Sequence, residues 1–129
     1  MNWTVMVVDD EVLTRDLFRL MLERAGFRVT EAVDGRDALK QIKLDLPDLV
    51  ILDVMMPHID GYEVCRRLRL QAETAVLPVL MLSAKTQPED AAEGMRAGAT
   101  RYLPKPITYN ELIQNIKEIL EGDSSEQHG

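Results

Sequence analysis

Three acids, one hydroxyl and one ammonium stand out for where they fall along the chain. Asp9-Asp10-Glu11 follows the apolar run Val5-Met6-Val7-Val8, and Asp53 follows Leu49-Val50-Ile51-Leu52. Ser83 follows Val79-Leu80-Met81-Leu82, and Lys105 sits between Pro104 and Pro106 just after Arg101-Tyr102-Leu103. If these runs are strands of one parallel sheet, their carboxyl ends share a rim, which is where open α/β sheets build ligand sites. With the first and third strands as neighbours, Asp9, Asp10 and Asp53 converge there. Two carboxylates about 4 Å apart repel by roughly 1–4 kcal/mol at effective dielectrics of about 80 to 20. A cluster of three must therefore raise its pKa values or attract a cation. Oxygen donors with neither cysteine nor histidine among them point to Mg2+ and not to zinc. Taken singly, Asp9 and Asp10 would serve as caps of a following helix, and Asp53 as an ordinary strand-end acid. The set at matching strand ends is what points to a site.

The elements that must position these residues are legible in the pattern. The three apolar runs do not alternate with polar residues, as expected of strands buried on both faces of a parallel sheet. Arg28-Val29-Thr30-Glu31-Ala32 and Arg101-Tyr102-Leu103 are weaker strand candidates. Leu13, Leu17, Leu20 and Met21 mark the apolar face of a first helix, with Gly26 past its end. Ala38, Leu39 and Ile42 mark a second, opened by Asp34-Gly35. Asp60 is the N-cap of a third, with Glu63 three residues on, ahead of Val64 and Leu68. Pro88 opens a fourth that contains Ala91, Ala92 and Met95 and ends at Gly98. Thr108 and Glu111 form a capping box for a fifth, whose stripe is Leu112, Ile116 and Ile119. Strand and helix thus alternate five times, which predicts a parallel sheet covered by helices on both faces through right-handed crossovers.

With 129 residues the chain reads as one domain, comprising 1–121 with a polar tail or linker stub over 122–129. Fifteen Lys and Arg against 22 Asp and Glu give a net charge of −7, which argues against a nucleic-acid surface. Hydrophobic residues at 46% and charged residues at 29% exclude a disordered chain. The single cysteine, Cys65, can form neither an internal disulfide nor a cysteine metal cluster, and the natural reading is a reducing, cytoplasmic compartment. The N-terminal residues lack the pattern of a signal peptide, and no apolar run approaches the roughly 20 residues of a membrane span.

Val7-Val8-Asp9-Asp10-Glu11, Leu52-Asp53-Val54-Met55-Met56-Pro57, Asp60-Gly61, Leu82-Ser83-Ala84 and Leu103-Pro104-Lys105-Pro106, in that order, resemble the signature of the receiver domain of two-component response regulators. The resemblance spans about residues 4–121. It implies a flavodoxin-like, doubly wound five-stranded parallel sheet of order 2-1-3-4-5 with five helices. It also implies Mg2+-dependent transfer of a phosphoryl group to Asp53 from the phosphohistidine of a histidine kinase or phosphotransfer protein. Asp10, Asp53 and the main-chain carbonyl of Met55 would ligate the metal, with Asp9 acting through a bound water. Lys105 would contact a phosphoryl oxygen and Ser83 would sense the group. Tyr102 would turn inward as the switch aromatic, and the fourth helix, fifth strand and fifth helix would present the output surface. The bond between Lys105 and Pro106 is expected to be cis. Such a domain is a phospho-acceptor switch, classed as no enzyme, that catalyses its own phosphotransfer and slow self-dephosphorylation. Met55 and Lys85, two residues past Asp53 and Ser83, would set the lifetime of the phosphoryl group. The implied partners are the kinase and a downstream output protein or domain, with neither direct nucleic-acid binding nor a membrane; phosphorylation-linked homodimerisation stays open.

Three rivals remain. A phosphatase of the haloacid dehalogenase type needs a second acid two residues after its nucleophile, where this chain has Met55. A flavin or nucleotide module needs a glycine- or hydroxyl-rich loop after the first strand, where Asp9-Asp10-Glu11 would repel phosphate. An unphosphorylated receiver-like binding module would not require Asp9, Asp10, Asp53, Ser83 and Lys105 together. Cys65 is expected to be packed inside the third helix, and His58 to be exposed without a nucleophile to activate.

Overall fold

A computed structural model describes residues 2–122. The three apolar runs form the middle of one sheet as β1 (Thr4–Val8), β3 (Leu49–Asp53) and β4 (Val79–Ser83). The weaker candidates form its edges as β2 (Arg28–Ala32) and β5 (Arg101–Pro104). All pairs are parallel and the order is β2-β1-β3-β4-β5, as the resemblance implied. The helices are α1 (Val12–Arg24), α2 (Gly35–Leu44), α3 (Gly61–Arg69), α4 (Pro88–Ala97) and α5 (Tyr109–Leu120). No helix among the described residues is long and apolar enough to cross a membrane. Of the polar segment expected over 122–129, all but Gly122 lies outside the described residues.

Although the central runs do not alternate in polarity, successive residues enter two different cores. Met6, Val8, Val50, Leu52 and Met81 pack with Ala38 and Ile42 of α2 and with Val64 and Leu68 of α3. Val5, Val7, Ile51, Leu80 and Leu82 pack on the other side with Phe18 and Leu22 of α1 and with Leu112 and Ile116 of α5. Both faces of the sheet are dry, which is why its strands read as unbroken apolar runs.

Local signals set the helix starts. The Asp34 and Asp60 side chains accept from the Asp37 and Glu63 amides at 2.8 and 2.9 Å. Thr108 and Glu111 exchange bonds as a capping box. α4 has a second such box, between Gln87 and Asp90, behind Pro88.

α1 departs from expectation. The stripe marked by Leu13, Leu17 and Leu20 faces solvent, with exposures of 79, 57 and 66%, and the buried residues are Phe18 and Leu22. The cause lies outside the helix. Arg15 and Arg19 both pair with Glu31 of β2, and this fixes the roll that turns Phe18 and Leu22 onto the sheet. Glu31 is held below the ordinary carboxylate range: burial works against its charge, but the hydrogen bonds and charges of Arg19 and Arg15 outweigh it.

Candidate functional site

Register brings the acids together. Val8 pairs with Leu52, so Asp9 and Asp53 leave adjacent strands side by side. Ser83, at the end of β4, pairs with Pro104 of β5, which places Lys105 next to them. Carboxylate oxygens of Asp9, Asp10 and Asp53 all lie within 4.8 Å of one another. The Lys105 ammonium donates to Asp9 Oδ2 at 2.9 Å and stands 3.4 Å from Asp53 Oδ1.

Each group is held by a distinct set of bonds. Asp9 is buried, and its Oδ1 accepts from the Glu11 amide at 2.9 Å, so it also closes the turn into α1. Its main-chain carbonyl accepts from Arg15 Nη1 at 2.7 Å. Asp10 is exposed. Asp53 is buried and accepts from the Met55 amide at 3.4 Å, while the Met55 side chain points to solvent. The Lys105 amide donates to the Ser83 carbonyl at 2.9 Å, and the bond from Lys105 to Pro106 is cis as expected. Ser83 is fully buried and its Oγ accepts from the Lys85 amide at 3.0 Å. Tyr102 is half-buried and its hydroxyl donates to the Lys85 carbonyl at 2.7 Å.

The electrostatics follow from burial and crowding. Burial pushes the Asp53 carboxyl up; Lys105 pulls it back and Asp9 pushes it further, and the balance leaves it above the ordinary value. Burial works against the charge on Lys105, yet its bond to Asp9 and the charge of Asp53 prevail and its pKa is raised. One ammonium thus pairs with two of three clustered carboxyl groups. An all-oxygen set this crowded fits a hard divalent cation.

Gly61 makes this arrangement possible at the base of the site. Its amide bonds to the Val54 carbonyl at 2.9 Å. An added Cβ there would fall 2.5 Å from the Asp53 carbonyl oxygen and 2.9 Å from Val54 Cα. Both are backbone atoms that cannot step aside. Gly61→Ala is therefore expected to cost about 1–3 kcal/mol by overpacking and to shift Asp53, measurable as a lower melting temperature together with weaker Mg2+ binding.

The sequence-based expectations bring Asp9, Asp10, Asp53 and Lys105 to one point, with Ser83 and Tyr102 joined to each other through Lys85. Cys65 is buried and His58 exposed, as expected. Three contributions escaped the sequence reading: Arg15 on the Asp9 carbonyl, Glu31 holding Arg15, and the close packing of Gly61, which the sequence marks only as part of the Asp60-Gly61 motif. The Arg15/Arg19 spacing opposite a lone acid in a weak strand was the available signal for the first two.

The family model for the response regulator receiver domain matches residues 5–117. The chain is 43% identical over 120 residues to the alkaline phosphatase synthesis transcriptional regulatory protein PhoP of Bacillus subtilis, covering 93% of this chain and 49% of that protein. It is 44% identical over 116 residues to response regulator MprA of Mycolicibacterium vanbaalenii, covering 90% of this chain and 49% of that one. The chain therefore spans about half the length of the curated relatives it matches. A putative response regulator from Chloroflexus aurantiacus superposes with a TM-score of 0.90 at 40% identity, covering 94% of this chain and 99% of that one. Chemotaxis protein CheY4 of Vibrio cholerae superposes at 0.88 with 35% identity, covering 93 and 100%. Fold, strand-end acids and relatives agree, and the chain belongs to the receiver domains of response regulators.

Proposed function

We propose that Asp53 accepts a phosphoryl group from a phosphohistidine and that residues 1–121 form the unit that does so in the cytoplasm. The observation that carries this reading is the meeting of Asp9, Asp10 and Asp53 within 4.8 Å of one another, with the Lys105 ammonium on Asp9 and Asp53. An Asp53 oxygen bonds to phosphorus as the phosphorus–nitrogen bond of the donor breaks, and the electron pair returns to the donor imidazole. Asp10, Asp53 and the Met55 carbonyl would hold Mg2+, with Asp9 reaching it through a water. When bound, the ion offsets the negative charge of the carboxylates and of the incoming phosphoryl oxygens. Lys105, already 3.4 Å from Asp53, supplies a second positive charge to a phosphoryl oxygen. Ser83 Oγ accepts from the Lys85 amide, so its own proton is free to be donated to the phosphoryl group.

The resulting acyl phosphate is long-lived on this reading. The Met55 side chain offers no strong hydrogen-bonding group to orient an attacking water. Lys85 is occupied elsewhere, its ammonium 3.6 Å from Asp90 and 5.5 Å from the centroid of the Tyr62 ring.

The exposed leucines of α1 begin three residues after Asp10. A donor whose phosphohistidine reaches Asp53 must cover the ground beside the site, and this stripe, with exposed Val12 and Met55, offers apolar surface there. The phosphoryl signal then passes through α4, β5 and α5 to an output domain or protein, consistent with relatives described as transcriptional regulators. Leu17→Asp is expected to leave the fold and uptake from acetyl phosphate unchanged, because the residue is 57% exposed. Transfer from the cognate histidine kinase should fall by about tenfold or more, the loss of one apolar interface contact. Equal loss with both donors would remove α1 as the docking face.

The function itself is tested by incubating the protein with Mg2+ and acetyl phosphate and measuring its mass, or by following spectroscopic change with Mg2+ and beryllofluoride. A single phosphoryl adduct that requires Mg2+ is expected. Absence of both responses would overturn the phospho-acceptor reading in favour of an unphosphorylated binding module.

A further inference from the structure

Gly94 lies in the body of α4, where glycine is less favourable than alanine by about 1 kcal/mol. Its backbone is not left-handed, so conformational need does not account for it. Packing does. An added Cβ would fall 2.6 Å from Cδ2 and 3.2 Å from Cε2 of Tyr102, and 3.1 Å from Met81 Sδ. The Tyr102 ring lies directly against the helix backbone at this point. From there its hydroxyl reaches the Lys85 carbonyl at 2.7 Å, and the Lys85 amide donates to Ser83 Oγ at 3.0 Å. One residue therefore ties the sensing hydroxyl on one side and the aromatic ring on the other. A second tyrosine braces the same segment, since the Tyr62 hydroxyl of α3 donates to the Asp90 carbonyl in the first turn of α4 at 3.1 Å. The segment between Ser83 and α4 is pinned at Lys85 and at Asp90, and the first pin depends on the ring having room.

We infer that Gly94 is a positioning residue of the switch: it is the seat that lets the Tyr102 ring lie against α4, so that its hydroxyl holds Lys85 and couples Ser83 to the helix. This rests on the reading of Ser83 as the phosphoryl sensor. The seat explains why the inward position is available to Tyr102 at all, because any side chain at residue 94 takes its space.

The test is a double-mutant cycle read by melting temperature, joined to backbone amide resonances. Gly94→Ala alone should lower the melting temperature by about 4–12 °C, since the ring must be displaced. In a Tyr102→Ala background the same change should raise it by about 3–5 °C, because the better helix propensity of alanine remains and Met81 Sδ, at 3.1 Å, belongs to a flexible side chain with the vacated ring space to move into. That reversal of sign is what a general packing role would not produce. If Gly94→Ala still destabilises without the ring, the space is needed for Met81 or for helix packing, and the inference is overturned. In wild type, Mg2+ and beryllofluoride should shift the amides of Met55, Lys85 and Tyr102. In Gly94→Ala the Met55 shift should persist while those of Lys85 and Tyr102 fall to less than about half. Full-sized shifts at Lys85 and Tyr102 would overturn the coupling. Failure of wild type to respond at Met55 would count against the phospho-acceptor reading instead, and the melting cycle would still decide whether the seat exists.

Discussion

Asp53→Asn should gain no phosphoryl mass from acetyl phosphate and Mg2+ under conditions in which wild type is fully modified. The amide keeps the size of the side chain but has no anionic oxygen to form the bond to phosphorus. The same variant should melt at a higher temperature than wild type in metal-free buffer at pH 7. Burial, with Asp9 beside it, holds the Asp53 carboxyl above its ordinary value of 3.8 despite the pull of Lys105. A carboxyl whose folded pKa is raised contributes stability that is fully present below the unfolded value and is lost as pH rises through the folded one. At neutral pH wild type has lost that contribution and the amide has not. The gap between the two proteins should therefore close as pH falls toward about 4. Melting curves from pH 4 to 8 measure it, and an Asn variant less stable than wild type at pH 7 would mean that the Lys105 contact dominates. Such a gain on neutralising a buried charge is expected of a group retained for chemistry.

Lys105→Ala should slow phosphoryl uptake too, but it should lower stability where Asp53→Asn raises it. Asp9 and Asp53 lose their one shared ammonium while the carboxylates stay close together. Removing one partner from a buried charged pair leaves the other uncompensated, at a cost here of about 1–3 kcal/mol. Urea titration at pH 7 reads this cost, and lowering the pH should shrink it as Asp53 takes up a proton. The rate of phosphoryl uptake should drop by about 100- to 1,000-fold, the usual effect of deleting one donor to developing negative charge. Lys105→Arg should recover most of the stability but little of the rate, since a planar fork does not reproduce a point charge. An alanine variant that keeps the wild-type rate would exclude Lys105 from the chemistry.

The parts of this fold that were legible in the sequence are those set by local rules. Both-face burial makes β1, β3 and β4 unbroken apolar runs, and Asp34, Asp60 and Thr108 announce their helices through side-chain caps. The site was legible because the sheet is parallel, so residues just past each run must meet. What stayed hidden depends on contacts between distant segments. The roll of α1 is decided by Glu31 on another strand, and Leu13, Leu17 and Leu20 offered a stripe as regular as the one that is buried. The packing roles of Gly61, which stands in a motif, and of Gly94, which does not, are hidden because each lies in the space left for β3 and for Tyr102. The Gln87–Asp90 box was passed over because glutamine is an uncommon N-cap. His58, with φ of 70°, is one of the residue types enriched in left-handed backbone, a signal too weak to place the turn by itself.

The sheet that separates two cores also divides the surface that partners would meet. α1, with its leucines, packs on one side together with α5, and α4, with Gly94 and its tyrosine tethers, packs on the other. On the proposed reading, a donor on α1 and target contacts to α4 would lie on opposite faces, whereas target contacts to α5 would share the donor's face. A target held through α4 alone would leave the donor's ground open; one that also grips α5 would have to wait for it to clear.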